Sequence, residues 1–272
     1  MAGVHGAGVH LMSAVKGLAV EARSSQATGA GAAAGIKPLS VMKLSVIICV
    51  RNEKDTILEM IKRVQEATLR EGWTKQIIVV DNQSTDGTRE LLGTVNDENV
   101  HVIYQTENRG KGHSFRAGIA LCEGEYTIPQ DADLEYHPQD YDALFEKALD
   151  ERCDVVFGTR AARGRGYHTY RLNEWGIRAL TWLTNRLFGT RYTDVATCYK
   201  LMRTDLLKSF QLSSNGFDID FELSAKFAKS HWKIGEVSIG YTPRTYEQGR
   251  KMKVWSNGFR ALWVLIRERL SS

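Results

Sequence analysis

The sequence predicts an α/β fold: a mostly parallel sheet with helices on both faces. Three observations predict it. Short, nearly continuous apolar runs recur, each suited to a strand buried on both faces. Between them lie segments whose apolar residues repeat at helical spacing. Nearly every uncommon polar cluster of the first half falls where one of these strands would end. Right-handed crossovers would bring those ends to one rim, where ligands of open α/β sheets bind.

The elements follow in order. Residues 1–41 are rich in Ala, Gly, Ser and Val and contain the low-complexity run at 29–35. Such a stretch cannot bury enough surface to offset its ordering entropy, so it reads as a disordered tail. Its apolar pieces near Val9 to Val20 are broken by Lys16 and lack a secretory leader's core and cleavage pattern. A single domain is expected over 42–272, with halves at 42–160 and 161–272. Leu44 to Val50 is the first strand. Asp55 is expected to cap a helix striped by Ile57, Leu58, Ile61, Val64 and Leu69, and Gly72 to end it. Gln76 to Val80 is the second strand, followed by a short helix. Val100 to Tyr104 is the third strand, and His113 to Cys122 a helix. Glu125 to Pro129 is the fourth strand, 138–151 a helix, and Cys153 to Phe157 the fifth strand. Beyond Arg160 the spacing predicts helices over Leu172–Phe188, Asp218–Lys229 and from Phe259 onward, with strands at Cys198–Met202 and Lys233–Ile239.

Composition narrows the class. The 272 residues are 43% hydrophobic and 25% charged, as in a soluble globular protein. A net charge of +4 does not call for a nucleic-acid partner, and no nucleic-acid-reading module is present. Cys49, Cys122, Cys153 and Cys198 form neither a zinc pattern nor a redox pair, which suits a reducing compartment. No run of about 18 uninterrupted apolar residues exists, so no membrane-spanning helix is expected.

The chemistry concentrates at the strand ends. Asp131 and Asp133 follow the fourth strand one residue apart. Two hard carboxylates suit Mg²⁺ or Mn²⁺ shared with phosphate oxygens. The plainer alternative is a polar loop leading to Pro138 and the next helix. Asp81 can accept hydrogen bonds from a base or ribose, or simply mark a helix entry. Gly110-Lys111-Gly112 offers backbone N–H groups and an ammonium to a phosphate or ribose. The second half supplies two cationic clusters, Arg160, Arg163, Arg165 and Arg171, then Arg244, Arg250, Lys251 and Lys253. They suit phosphate, an anionic lipid surface or plain solvent.

Leu44-Ser-Val-Ile-Ile-Cys-Val-Arg-Asn-Glu, Val80-Asp-Asn-Gln-Ser-Thr-Asp-Gly-Thr, Asn108-Arg-Gly-Lys-Gly and Gln130-Asp-Ala-Asp-Leu-Glu together resemble family 2 glycosyltransferases of the GT-A fold. Phe157-Gly-Thr-Arg, Thr193-Asp-Val-Ala-Thr-Cys-Tyr-Lys-Leu-Met-Arg, Gly235-Glu-Val-Ser-Ile and Arg244-Thr-Tyr-Glu-Gln-Gly-Arg-Lys resemble the polyprenyl-phosphate (dolichol-phosphate) mannosyltransferase branch. The resemblance runs from about residue 43 to the end. It implies a nucleotide-sugar donor, GDP-mannose or a UDP-sugar, and a Mg²⁺ or Mn²⁺ ion on Asp131 and Asp133. It makes 42–160 the nucleotide-sugar half and 161–272 the acceptor half. It places the donor among Val50, Asn52, Glu53, Asp81, Asn108, Gly110, Lys111, Gly112 and Ala132, with Arg244, Arg250 and Lys251 closing over its phosphates. Arg160 and Arg171 match positions used for acceptor or donor phosphate, here assigned to the acceptor, and Arg160 joins Asp131 and Asp133 as catalytic. Three residues depart from the pattern. Arg51 stands where an aromatic residue is common, Ala196 where Glu is frequent, and Asn257 where Asp is common.

The resemblance implies inverting transfer of mannose or glucose to a polyprenyl phosphate. That acceptor is already anionic, so a strong general base is unnecessary. A lipid acceptor requires a membrane approach without a spanning helix. The protein is therefore expected in the cytoplasm, peripheral at the membrane face. The Leu172–Phe188 helix, the C-terminal helix or an anchoring subunit could provide the contact. Alternatives are a family 2 enzyme with a soluble glycan or small-molecule acceptor, and an inactive nucleotide-sugar-binding or scaffold protein. A nucleotidyltransferase should carry a Gly-rich, Lys-containing loop after the first strand, and Arg51-Asn-Glu-Lys-Asp is not one.

Overall fold

A computed structural model describes residues 42–161, 171–245 and 254–271. All belong to one compact unit, Leu39–Ser272. The expected tail at 1–41 lies outside the described residues, as do Arg163, Arg165, Arg250, Lys251 and Lys253.

Seven strands form one sheet. They are β1 (Met42–Val50), β2 (Trp73–Asp81), β3 (Val100–Tyr104), β4 (Tyr126–Asp131), β5 (Val155–Thr159), β6 (Lys200–Arg203) and β7 (Ile234–Ser238), in the spatial order β3-β2-β1-β4-β6-β5-β7. The helices are α1 (Ile57–Glu66), α2 (Thr88–Leu92), α3 (Lys111–Ile119), α4 (Tyr141–Asp150), α5 (Arg171–Phe188), α6 (Thr204–Ser209), α7 (Ile219–Lys229) and α8 (Val254–Leu270). β1 pairs parallel with β2 and β4, β2 with β3, and β5 with β7. β6 alone runs antiparallel, wedged between β4 and β5. The carboxyl ends of the other strands therefore share one rim.

Two apolar layers cover the sheet, and β1 shows why its sequence is so continuously apolar. Leu44, Val46, Ile48 and Val50 face one layer, with Ile57, Met60, Ile61 and Val64 of α1 and Tyr141, Leu144 and Phe145 of α4. Ile47 faces the other, with Phe115 of α3, Leu223 and Phe227 of α7, and Ala261 and Leu265 of α8. Each fully buried side chain of this size contributes roughly 1.5–3 kcal/mol.

Some expectations need correction. α1 has Thr56, not Asp55, at its N-cap, with no side-chain cap hydrogen bond. It ends at Glu66, where Ala67 turns extended at ψ 128°. Gly72 instead serves the entry to β2: its φ is +84°, and its carbonyl accepts from Met42 N at 3.0 Å. Leu58, expected on the apolar stripe, is exposed, and Met60 takes the buried position. α6 has no counterpart in the sequence reading, because six residues are too few to display a helical period.

Candidate active site

A cleft of about 530 Å³ opens at the rim. Its first wall is the turn after β1, where Val50, Arg51, Asn52 and Glu53 line it. Asn52 has φ +52°, a left-handed conformation that Asn tolerates better than most residues. Side chains following β2 lock this turn. Asn52 N donates to Ser84 Oγ (2.8 Å), Thr85 N donates to Asn52 Oδ1 (2.8 Å), and Glu53 N donates to Thr88 Oγ1 (3.0 Å). The polar run after β2 is therefore largely a brace. Asp81 belongs to that brace. It is fully buried, pairs with Arg89 Nε at 3.2 Å, and does not line the cleft. Its neighbour Asn82 does, clipped to Asn108, which also lines it, by an Nδ2–Oδ1 bond of 2.8 Å.

The glycines around Lys111 have a packing reason. A Cβ on Gly110 or Gly112 would run into the backbone carbonyls of Asn215 or Ser214. Their absence lets the loop before α7 lie on the start of α3, with Gly112 N donating to Asn215 O at 2.8 Å. Gly110 remains on the cleft wall, whereas Gly112 does not line the cleft. Lys111 reaches inward, with Nζ 2.8 Å from Asp131 Oδ1 and 3.3 Å from Asp220 Oδ2. Burial opposes its charge, but Asp131 and Asp220 outweigh burial and hold the ammonium well above the ordinary lysine value.

The acidic couplet sits at the centre. Asp131 ends β4, and Ala132, Asp133 and Glu135 continue along the cleft. Leu134 has φ +64°, uncommon outside glycine, in the turn that brings Asp133 and Glu135 to the same guanidinium. Arg244 donates to Glu53 at 3.0 and 3.2 Å and to Asp133 Oδ2 at 3.1 Å, while its backbone N donates to Glu135 Oε1 at 2.8 Å. Burial, then the charges of Asp131 and Glu135, push Asp133 up to about 7 despite Arg244. A crowded carboxylate pair of this kind is what a dication relieves, so Asp131 and Asp133 fit a Mg²⁺ or Mn²⁺ site completed by phosphate oxygens. Among the described residues no group of three or more His, Cys, Asp or Glu side chains is placed to hold an ion without such help.

The far wall carries Arg160, which follows β5. It is almost fully buried and grips Asp194 through Nε–Oδ2 (2.7 Å) and Nη2–Oδ1 (2.9 Å), with its guanidinium 5.0 Å from the Tyr241 ring centre. Burial alone would lift Asp194, yet Arg160 holds it below the usual carboxylate range. Arg171 opens α5, but its side chain lies outside what is described, so its place relative to the cleft is not set.

Sequence reasoning missed Asn82, Tyr136, Cys198, Phe217, Asp220 and Tyr241, all of which line the cleft. For Asp220 a signal existed. Apolar residues occur all around α7, leaving no exposed face for Asp220 and Glu222, and both are buried.

Comparison with known proteins decides the family. The description Glycosyl transferase family 2 matches residues 45–210, more than half of the chain. The chain belongs to glycosyl transferase family 2. Among curated members, glycosyltransferase AglJ of Haloferax volcanii is 30% identical over 194 residues, 71% of this chain and 61% of that one. Undecaprenyl-phosphate 4-deoxy-4-formamido-L-arabinose transferase of Pseudomonas fluorescens is 27% identical over 63% of this chain and 50% of that one. Dodecaprenyl-phosphate galacturonate synthase of Rhizobium johnstonii is 24% identical over 84% and 67%. The matches thus span half to two thirds of these relatives' lengths. Among solved structures, glucosyl-3-phosphoglycerate synthase of Mycobacterium tuberculosis, in complex with Mn²⁺, uridine diphosphate and glucosyl-3-phosphoglycerate, superposes with a TM-score of 0.65 at 18% identity. It covers 84% of this chain and 80% of its own, and the likeness establishes the GT-A fold of the family 2 domain.

Proposed function

We propose that this protein transfers a hexosyl group, mannose or glucose, from a nucleotide sugar to a polyprenyl phosphate with inversion, using Mg²⁺ or Mn²⁺. The observation that carries the reading is the meeting of Asn52, Glu53, Asp131, Asp133, Arg160 and Arg244 in one cleft. Two of the relatives above are named for a polyprenyl-phosphate acceptor, which supports that class here. The solved neighbours contain UDP with Mn²⁺ or Mg²⁺, which supports the donor and ion.

The chemistry needs positioning more than proton transfer. A phosphate-monoester oxygen of the acceptor bonds to the sugar's anomeric carbon as the bond to the donor diphosphate breaks. The nucleoside diphosphate leaves with the electron pair. Among the described residues no histidine lines the cleft. Burial pushes the Cys49 thiol up to about 12 and Cys198 well above its usual value, so neither is a thiolate nucleophile at neutral pH. Asn52 and Asn82 would hold the nucleoside side, Lys111 and Arg244 the orientation of the acidic couplet, and Arg160 the acceptor side. Asp131 and Asp133 would hold the dication, which when bound supplies positive charge to the departing diphosphate. The acceptor places the protein at the cytoplasmic face of a membrane.

The test pairs GDP-mannose and UDP-glucose with a short polyprenyl phosphate, and with phosphoglycerate as a soluble control, with and without Mn²⁺. Glycosylated lipid phosphate is expected, lost on chelation and in Asp131→Asn and Asp133→Asn. Product on the soluble acceptor alone, or near-normal turnover in both variants, would overturn the reading.

A further inference from the structure

Three candidates stand apart from the cleft's donor chemistry. One is a second, polar cleft of about 520 Å³ near Tyr192 and Trp232. Another is the buried Lys200, whose ammonium is absorbed by the carbonyls of Val195 and Thr197. The third, the outer faces of α5 and α8, goes furthest.

We infer that the outer faces of α5 and α8 form a docking surface for an anionic phospholipid membrane. This rests on the lipid acceptor proposed above. Both helices belong to one layer: they pack on each other and on α7, with Leu180 and Leu183 of α5 and Ala261 and Leu265 of α8 in the same apolar cluster. Their opposite faces are covered by nothing in the described chain. Trp175 is 66% exposed, Trp182 67%, Phe259 70%, Trp263 66% and Leu270 80%. Trp175 and Trp182 lie two turns apart on α5, and Phe259, Trp263, Ile266 and Leu270 form one stripe on α8. At on the order of 100 Å² each, such side chains reach the size at which an apolar patch marks a docking surface.

Charge chooses the occupant. Among the described side chains of the two helices every exposed charged one is an arginine: Arg178, which pairs with Glu174 at 2.7 Å, and Arg186 on α5, Arg260 and Arg269 on α8. The helices' acids, Glu174 and Glu268, are both buried. Tryptophan among arginines, with no exposed acid, matches an interface where rings sit at headgroup depth and guanidinium groups meet lipid phosphates. No helix among the described residues is long and apolar enough to cross a membrane, so the contact is one of lying on the surface. Placement agrees with the cleft. Arg260 lies beside Gly216, where an added Cβ would meet its Nη1 at 3.3 Å, and the next residue, Phe217, lines the cleft. The surface therefore borders the cleft at the wall that Phe217 forms.

The test floats the full chain with phosphatidylcholine vesicles and with mixed phosphatidylcholine–phosphatidylglycerol vesicles, with no nucleotide or acceptor present. Flotation with the anionic vesicles and weaker flotation with the neutral ones is expected. Trp182→Ser combined with Trp263→Ser should cut the partition roughly tenfold or more without lowering Tm, because both rings are exposed. Arg260→Gln with Arg269→Gln should erase the preference for anionic lipid. Absence of flotation with either vesicle, or unchanged flotation of the tryptophan variant, overturns the inference. So does a dimer that the tryptophan variant dissociates in a protein that ignores vesicles, which would assign the face to a second copy. Transfer to a short-chain acceptor is measured in parallel: transfer without flotation sinks this surface and leaves the proposed function standing. Flotation without transfer supports the surface and counts against the acceptor.

Discussion

Lys111 and Glu222 show how single residues set the cleft. Lys111 sits between Asp131 and Asp220, and removing it leaves two carboxylates facing each other with little solvent. Breaking a buried pair in this way costs about 3–5 kcal/mol. Lys111→Met is expected to lose stability on that scale in denaturant titrations, and Lys111→Met with Asp220→Asn to recover part of it, giving a measurable coupling energy. Glu222 accepts from Ser213 N (2.9 Å) and Ser214 N (2.7 Å), fastening the loop that carries Phe217. Burial raises its pKa, but the hydrogen bonds from Ser214 and Ser213 outweigh burial and hold it below 4.5. Because the folded value is depressed, the folded state binds fewer protons than the unfolded one. Its stabilisation is present above the unfolded value and is lost as pH falls through the folded value. Glu222→Gln should therefore cost roughly 2 kcal/mol at neutral pH, with the difference from wild type fading in acid. The sequence displayed Asp131 and Asp133 openly, because two acids at a strand end have few structural uses. It hid the partners of Arg160 and Lys111, since Asp194 and Asp220 are distant in the chain; the all-round apolar pattern of α7 marks Asp220 as buried but not what it faces.

At the scale of elements, strands were the easiest to read. β1 and β2 are apolar on both faces, and that requires covering layers on both sides. Boundaries and caps were harder. Asp55 looked like a cap by composition, yet the backbone at Thr56 enters α1 without using a side chain. The glycines opening α3 looked like phosphate-binding backbone, and the structure gives them a packing role against the 214–215 carbonyls. Gly112→Ala makes that role measurable. The added methyl would displace the loop before α7, lowering Tm and shifting Phe217 and Asp220, so turnover should fall with stability. Unchanged Tm would show that the loop yields without strain.

Across the whole molecule, the sheet is shared between chain segments far apart in sequence. Parallel alternation predicted the rim correctly from local spacing alone. The strand expected at Cys198–Met202 is β6, but alternation could not give its direction or its place, because an antiparallel strand of four residues carries no crossover signature and its position depends on β4 and β5. Arg244 repeats the theme, tying the segment after β7 back to Glu53 after β1.

The wedge of β6 has a consequence for how the chain comes into being on the ribosome. β4 and β5 never touch as ladder partners; each waits for a strand that is translated some forty residues after β5. Until Lys200–Arg203 emerge, the nascent sheet has an unpaired edge at β4 and an orphan strand at β5, both templates for wrong partners. A fragment of residues 42–160 should accordingly aggregate or stay molten when expressed alone, and a fragment running to 245 should recover protease resistance.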